Sequence, residues 1–290
     1  MSLFNKIKLA WKHLLILLGL SSIITTPFLL KSTQGEIADS ERLCFIGDVG
    51  MNNEGQEKIA KMLPDYCDRV IVLGDLVYPI GVKDENDPRA ETHFLQHYRN
   101  LNLPFNLVMG NHDYYGNPDA WLKIAEKEKK WIDYKNNYWF TENNGLCLVA
   151  LDTMPLTSLK KGPRYYAQAK WIKNVLFQKC DFRIVIGHHP YKSCGKHGHA
   201  KGRMKEFYEE FVIGRVDGII AGHDHLLCYF NEKPFSITSG SGSKLRNKIK
   251  NNPTFSAVEL GFVQMRYHGE KKATFKFITE KQIKVIEVGP

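Results

Sequence analysis

The chain has 290 residues, 43% hydrophobic and 24% charged, with a formal charge of +9. That composition supplies a core and a soluble surface for one large domain with or without a leader, and no internal repeat or long low-complexity stretch interrupts it. The basic balance suits anionic partners such as phosphate esters or a lipid surface, but Lys127, Lys129, Lys130, Lys160, Lys161, Lys248 and Lys250 are dispersed, as in a solvated surface, and no focused basic patch with aromatics calls for nucleic acid.

At the N-terminus Lys6, Lys8 and Lys12 precede an apolar stretch from Leu14 to Leu30, diluted by Ser21, Ser22, Thr25, Thr26 and Pro27. A positive leader before a short apolar run reads as a secretory signal. Leu14 to Leu20 is too short to span a bilayer; an uncleaved anchor and a buried amphipathic helix stay as alternatives. Ala38-Asp39-Ser40 and Thr33-Gln34-Gly35 are the candidate cleavage sites. The chain therefore divides into a signal or anchor plus linker over 1–40 and a domain over 41–290. The expectation is export to a secreted, periplasmic or lysosomal-type compartment, with membrane contact only through the N-terminal segment.

From residue 42 onward one arrangement recurs. Leu43-Cys44-Phe45-Ile46 leads into Gly47-Asp48, Val70-Ile71-Val72-Leu73 into Gly74-Asp75, and Phe105 to Met109 into Gly110-Asn111-His112. Ile184-Val185-Ile186 leads into Gly187-His188-His189, and Gly218 to Ala221 into Gly222-His223-Asp224-His225. Short β-branched runs read as strands buried on both faces. Helix-like patterns lie between them at Glu54 to Leu63, Pro88 to Tyr98, Trp121 to Trp131 and Ala167 to Phe177. Alternation of the two predicts an α/β layered fold. Phe255 to Arg266, Ala273 to Ile278 and Gln282 to Val288 read as C-terminal antiparallel strands. The segment Val82 to Ala90 reads as a solvated acidic turn.

Six cysteines in an exported chain permit disulfides, with connectivity open. Absence of a Cys-x-x-Cys pair argues against a zinc ribbon. Cys44 and Cys147 lie in apolar runs and read as small core residues. Asn252-Pro253-Thr254 carries the proline that forbids glycosylation.

The strand ends carry two Asp, one Asn and several His. Sites in open α/β sheets collect beyond the carboxyl ends of strands, and a Gly there lets a ligand come close. Singly each motif is weak, since an Asp after a strand is often a turn residue. Five in one order are specific. Asp48-Val49-Gly50, Gly74-Asp75-Leu76-Val77-Tyr78, Gly110-Asn111-His112-Asp113, Val185-Ile186-Gly187-His188 and Gly222-His223-Asp224-His225 together resemble the calcineurin-like metallophosphoesterases, and within them the purple acid phosphatases. Gly50 stands where the superfamily usually has His, and Tyr78 is where the purple enzymes place their replacement ligand. The resemblance runs from about Arg42 to the C-terminus and includes Leu151-Asp152-Thr153 and Ser239-Gly240-Ser241-Gly242. It is nearest to the small, mammalian-type members.

The resemblance implies a sandwich of two mixed sheets flanked by helices, and a monomeric acid phosphatase acting on phosphate monoesters through metal-activated hydroxide. It implies Fe(III) at a first site of Asp48, Asp75, Tyr78 and His225, and a divalent ion (Fe, Zn or Mn) at a second of Asp75, Asn111, His188 and His223. Asp75 would bridge two ions about 3.5–4 Å apart. Formal charges of about +5 for the ions against about −3 for Asp48, Asp75 and a Tyr78 phenolate leave about +1 after a bridging hydroxide, enough to attract phosphate. Phenolate-to-iron charge transfer gives the family its colour. His112 and His197 are the implied catalytic residues, binding phosphate and protonating the leaving oxygen. His189, before Pro190, reads as orienting its loop, and Asp224 as holding a His tautomer. The alternatives are a phosphodiesterase or nucleotidase of the same superfamily and a non-catalytic phosphate-binding surface protein.

Overall fold

The structure, a computed structural model, describes residues 41–290. The leader expectation falls on residues 1–40, outside the described residues. In chain order the strands are β1 (Leu43–Ile46), β2 (Arg69–Leu73), β3 (Phe105–Val108), β4 (Ile132–Asp133), β5 (Trp139–Asn143), β6 (Leu146–Ala150) and β7 (Phe182–Gly187). They continue as β8 (Gly218–Ala221), β9 (Leu227–Phe230), β10 (Phe235–Ser239), β11 (Phe255–Ala257), β12 (Gly261–Tyr267), β13 (Ala273–Thr279) and β14 (Ile283–Val288). They form two seven-stranded mixed sheets, ordered β14-β13-β12-β1-β2-β3-β4 and β11-β9-β10-β8-β7-β6-β5.

The alternation of side chains across a strand builds two cores at once. On β1, Leu43 and Phe45 point between the sheets, where they meet Ile71, Leu73, Ile184, Ile186 and Ile220. Cys44 and Ile46 point the other way, onto Ile59, Ala60 and Leu63 of the helix Glu54–Tyr66. That helix buries Gln56, Ile59, Ala60 and Leu63, the spacing of one helical face. Its first turn is closed by Asn53, whose side chain accepts from the Gln56 N–H at 2.9 Å. Each buried Phe, Leu or Ile contributes roughly 1.5–3 kcal/mol, so a strand buried on both faces is held from both sides.

Three expectations change. The single strand 255–266 is two: β11 pairs with β9 in one sheet and β12 with β1 and β13 in the other, so the chain crosses between layers at 258–260. The helix 121–131 ends at Lys127, because Glu128 turns the chain by accepting the Trp131 and Ile132 N–H groups and the Trp131 indole N–H. Pro88–Tyr98 is helical but widens to a π-turn over Glu91–Leu95.

Cys44 and Cys147 are buried, as expected of core residues, but they are not free thiols. Cys44 bonds Cys67 and Cys147 bonds Cys180, each pair joining a strand to the chain that returns beside it. Their Cα separations of 5.6 and 5.8 Å sit in the ordinary disulfide range. Cys194 and Cys228 are free and buried. The Cys44–Cys67 bridge closes a loop of 23 residues, and a loop of that size is expected to contribute about 3 kcal/mol. Replacing both cysteines by Ala should lower the denaturant midpoint accordingly; an unchanged midpoint would show that the bridge adds nothing to the fold.

Candidate metal centre

β1, β2 and β3 run parallel in one sheet, and β7 and β8 run parallel in the other. The loops beyond their carboxyl ends are knitted together: Gly47 N–H donates to Ser239 O at 2.8 Å, Asp48 N–H to Gly74 O at 3.0 Å, and Gly222 N–H to His188 O at 3.0 Å. Three residues here hold left-handed backbone: Asp48 (φ 60°), Asp75 (φ 57°) and His223 (φ 69°). That region is costly for a side-chain-bearing residue and is kept where surroundings enforce it, commonly at functional sites. Gly110 is required by close approach, since a Cβ there would lie 2.2 Å from Asp75 Oδ1.

The seven proposed ligand side chains meet, and they meet as two groups. Tyr78 Oη lies 2.9 Å from Asp48 Oδ1, 2.7 Å from Asp75 Oδ2 and 3.3 Å from His225 Nε2, and His225 Nε2 lies 3.2 Å from Asp48 Oδ1. In the second group His188 Nε2 lies 3.0 Å from Asn111 Oδ1, 3.1 Å from His223 Nδ1 and 3.4 Å from Asp75 Oδ1. One oxygen of Asp75 faces each group.

These groups fit metal ions. Donor atoms sharing one ion at about 2.0–2.2 Å stand about 3 Å apart along the edges of its coordination shell. His188 donates its Nδ1–H to Leu73 O at 2.7 Å, which turns Nε2 toward the oxygens of Asn111 and Asp75. Burial opposes a charge on this imidazole, but Asp75 and Asp48 prevail and raise it. The pocket therefore draws positive charge, which a metal ion would supply in the proton's place. Asp48 and Asp75 are buried, and no Lys or Arg pairs with either among the described residues. Atoms of Asp48, Asp75 and His188 lie within 4.8 Å of one another, as do atoms of His188, His189 and His223.

The electrostatics of the bare side chains agree. Burial, then the charges of Asp48 and Asp75, pushes the Tyr78 phenol well above its ordinary value. Burial and the neighbouring imidazoles push His223 well below its own. For Asp48 burial opposes ionisation, but the His225 hydrogen bond and the His188 charge prevail and lower it.

His112 and His197 flank the groups. His112 donates Nδ1–H to Pro79 O at 2.5 Å, rests its ring 4.3 Å from that of Tyr78, and brings Nε2 to 4.0 Å from Asp75 Oδ2. His197 stacks on His223 at 4.2 Å, and its Nδ1 lies 3.1 Å from Asp224 Oδ1. Asp224, fixed by Ser193 Oγ–H at 2.6 Å, therefore orients His197. His189 is buried, with its Nδ1 2.8 Å from Thr153 Oγ1.

Sequence reasoning assigned no role to Asp113. Its carboxylate accepts the N–H groups of Asp75 (3.0 Å), Leu76 (3.0 Å) and Gly110 (2.8 Å), and so fixes the loop that carries Asp75. Its place in Gly-Asn-His-Asp was the available signal. Burial and the Asp75 charge push it up to about 7.

The sequence profile of the calcineurin-like phosphoesterases matches residues 41–227. The chain belongs to that family. As a member it is a metal-dependent hydrolase acting on phosphoric esters. It is 29% identical to purple acid phosphatase 7 of Arabidopsis thaliana over 61% of this chain, a match spanning 60% of that protein's length. It is 26% identical to tartrate-resistant acid phosphatase type 5 of Sus scrofa, over 76% of this chain and 71% of that one. Among solved structures it is similar to GAP50, the anchor in the inner membrane complex of Plasmodium, with a TM-score of 0.73 and 21% identity over 86% of this chain and 88% of that one. That likeness concerns the fold alone.

Behind the metallophosphoesterase site, Asp152 accepts a hydrogen bond from Tyr114, which in turn accepts from Arg164 Nη1 at 2.9 Å. Burial pushes Asp152 up to about 6, against the pull of Tyr114 and Arg164. An unfolded Asp titrates near about 3.9. The folded value is the higher one, so the stabilisation is complete below about pH 4 and is lost as pH rises through about 6. Asp152→Asn should therefore gain on wild type by about 2–3 kcal/mol between pH 4 and 7 in urea unfolding. A pH-independent difference would show that Asp152 does not titrate in this way.

Proposed function

We propose that the chain is an exported acid phosphatase that hydrolyses phosphate monoesters at two metal ions. One observation carries this reading: the two oxygens of Asp75 face separate donor groups, one completed by Asp48, Tyr78 and His225 and the other by Asn111, His188 and His223. Those residues would hold Fe(III) in the first group and a divalent ion (Fe, Zn or Mn) in the second. The pair, when bound, supplies activated water and positive charge opposite the phosphoryl oxygens.

The chain's own side chains do the rest. His112 keeps Nε2 free because its Nδ1–H is committed to Pro79 O. His197 has its Nδ1 committed to Asp224, which leaves its Nε2 on the other side of the ring, 3.4 Å from Arg246 Nη1. Either can bind a phosphoryl oxygen and, when protonated, donate a proton to the departing alcohol. Asp113 and Asp224 hold Asp75 and His197 in place before substrate arrives, which avoids reorganisation during the reaction. Two disulfides among the described residues favour an oxidising compartment. No helix among the described residues is long and apolar enough to cross a membrane.

The test compares p-nitrophenyl phosphate with bis(p-nitrophenyl) phosphate at mildly acid pH. The monoester should turn over faster. Faster turnover of the diester would support the phosphodiesterase reading. No turnover of either by metal-loaded protein would support a phosphate-binding surface protein.

A further inference from the structure

The segment 244–250 crosses the mouth of the site with a cation at every second position: Lys244, Arg246, Lys248 and Lys250. Two of them stand over the donor groups. Lys244 Nζ lies 5.3 Å from the centre of the Tyr78 ring. Arg246 Nη1 lies 3.4 Å from His197 Nε2, while the Arg246 backbone N–H donates to His225 O at 3.0 Å. The segment is also tied to the loop that carries His197: Lys250 N–H donates to Cys194 O at 2.7 Å and Lys250 Nζ to Lys196 O at 2.9 Å. Arg246 and Lys250 are therefore held beside the site by backbone bonds, not merely spread over the surface.

Their charge is uncompensated. Five other arginines are matched: Arg42 pairs with Asp68, Arg69 with Glu41, Arg89 with Asp87, Arg99 with Glu91 and Glu128, and Arg164 with Asp119. Among the described residues no carboxylate pairs with Lys244, Arg246, Lys248 or Lys250. Cations held together without counter-charge raise the local concentration of anions, and a guanidinium is suited to grip phosphate through two parallel hydrogen bonds. The phosphoryl group undergoing hydrolysis would lie deeper, against the ligand side chains and the two histidines. The rim cations are left for a negative group on the part of the substrate that departs.

We propose that Lys244 and Arg246 are specificity-determining residues that bind a second phosphoryl group, so that the preferred substrate carries two. This rests on the phosphatase reading above and narrows it. The second group could be joined to the first through an anhydride oxygen, as in a diphosphate, or sit as a separate ester on a carbon frame, as in a sugar bisphosphate. In either case the oxygen of one water forms the new bond to phosphorus. The bond from phosphorus to the leaving oxygen breaks, its electron pair stays with that oxygen, and a proton from water replaces phosphorus there. A diphosphate yields two phosphates; a bisphosphate yields phosphate and a monophosphate alcohol.

The test measures kcat and KM of the metal-loaded full chain for p-nitrophenyl phosphate, inorganic pyrophosphate and fructose 1,6-bisphosphate. The quantity of interest is kcat/KM for each double phosphate divided by that for p-nitrophenyl phosphate. In the Lys244→Gln, Arg246→Gln double variant that ratio should fall about tenfold, chiefly through KM, as expected for losing a charge-assisted contact. A fall for pyrophosphate alone assigns the anhydride, and a fall for the bisphosphate alone assigns the carbon frame. The charge-keeping double variant Lys244→Arg, Arg246→Lys should recover most of the ratio. Ratios unchanged within about twofold for both double phosphates, or no recovery when charge is kept, would overturn the assignment while leaving the phosphatase reading intact. Wild-type protein that hydrolyses none of the three compounds would overturn that reading as well.

Discussion

Asp75→Ala should reduce kcat/KM for a phosphate monoester by at least about 10³-fold, equivalent to about 4 kcal/mol of transition-state stabilisation. The reason is geometric. Asp75 alone among the candidate ligands faces both donor groups, Oδ2 beside Tyr78 and Oδ1 beside His188. Its removal takes one negative oxygen from each group at once. It also frees the His112 backbone N–H, which Oδ1 accepts at 2.9 Å, so one flanking histidine loses an anchor. The fold should survive, because Asp113 bonds the backbone N–H of residue 75 and not its side chain. Circular dichroism and the denaturant midpoint establish that survival. A folded Asp75→Ala protein with more than about a tenth of wild-type turnover would contradict a bridging role.

Tyr78→Phe separates colour from catalysis. The phenol is buried against two carboxylates, and burial together with their charge holds it well above the ordinary tyrosine value. The protein by itself therefore opposes a phenolate, and a phenolate at this position requires a strongly charged ion beside Oη. If Fe(III) occupies the group of Asp48, Asp75 and His225, the wild-type protein should absorb in the visible, and Tyr78→Phe should abolish that band. The ring itself should stay in place, packed beside His112 and under Lys244. Because Asp48, Asp75 and His225 remain, turnover should fall by less than about tenfold, or 1.4 kcal/mol. A Tyr78→Phe protein that stays purple would refute the tyrosinate assignment.

The parts of the site legible in the sequence were those written as a strand followed by a residue type. An apolar run ending in Gly-Asp or Gly-His states both the strand and the position of the side chain at its carboxyl end. Five such runs were enough to anticipate the α/β layering and the convergence of Asp48, Asp75, Asn111, His188, His223 and His225, whereas Tyr78 entered only through the family resemblance. Features made by tertiary contact were not legible. Nothing local announces that Asp48, Asp75 and His223 adopt positive φ, because surrounding bonds such as Asp48 N–H to Gly74 O impose it. Asp113 looked like one more polar residue in a motif until three backbone N–H groups were seen to converge on it. Cys44 and Cys147 looked like core residues because their runs are apolar; their partners Cys67 and Cys180 lie 23 and 33 residues away. Phe255 to Arg266 reads as one strand because its composition is uniform, whereas the crossing between sheets at 258–260 is a property of the layers. Lys250 looked dispersed in the chain, but its bonds to Cys194 O and Lys196 O hold it against the loop that carries His197.

Metal content per chain, measured by elemental analysis on purified wild-type protein and on Asp75→Ala, tests the two-ion centre most directly. The expected result is two ions per wild-type chain, one of them iron, with Asp75→Ala retaining at most one. A single ion per wild-type chain, or two ions kept by the folded variant, would contradict it.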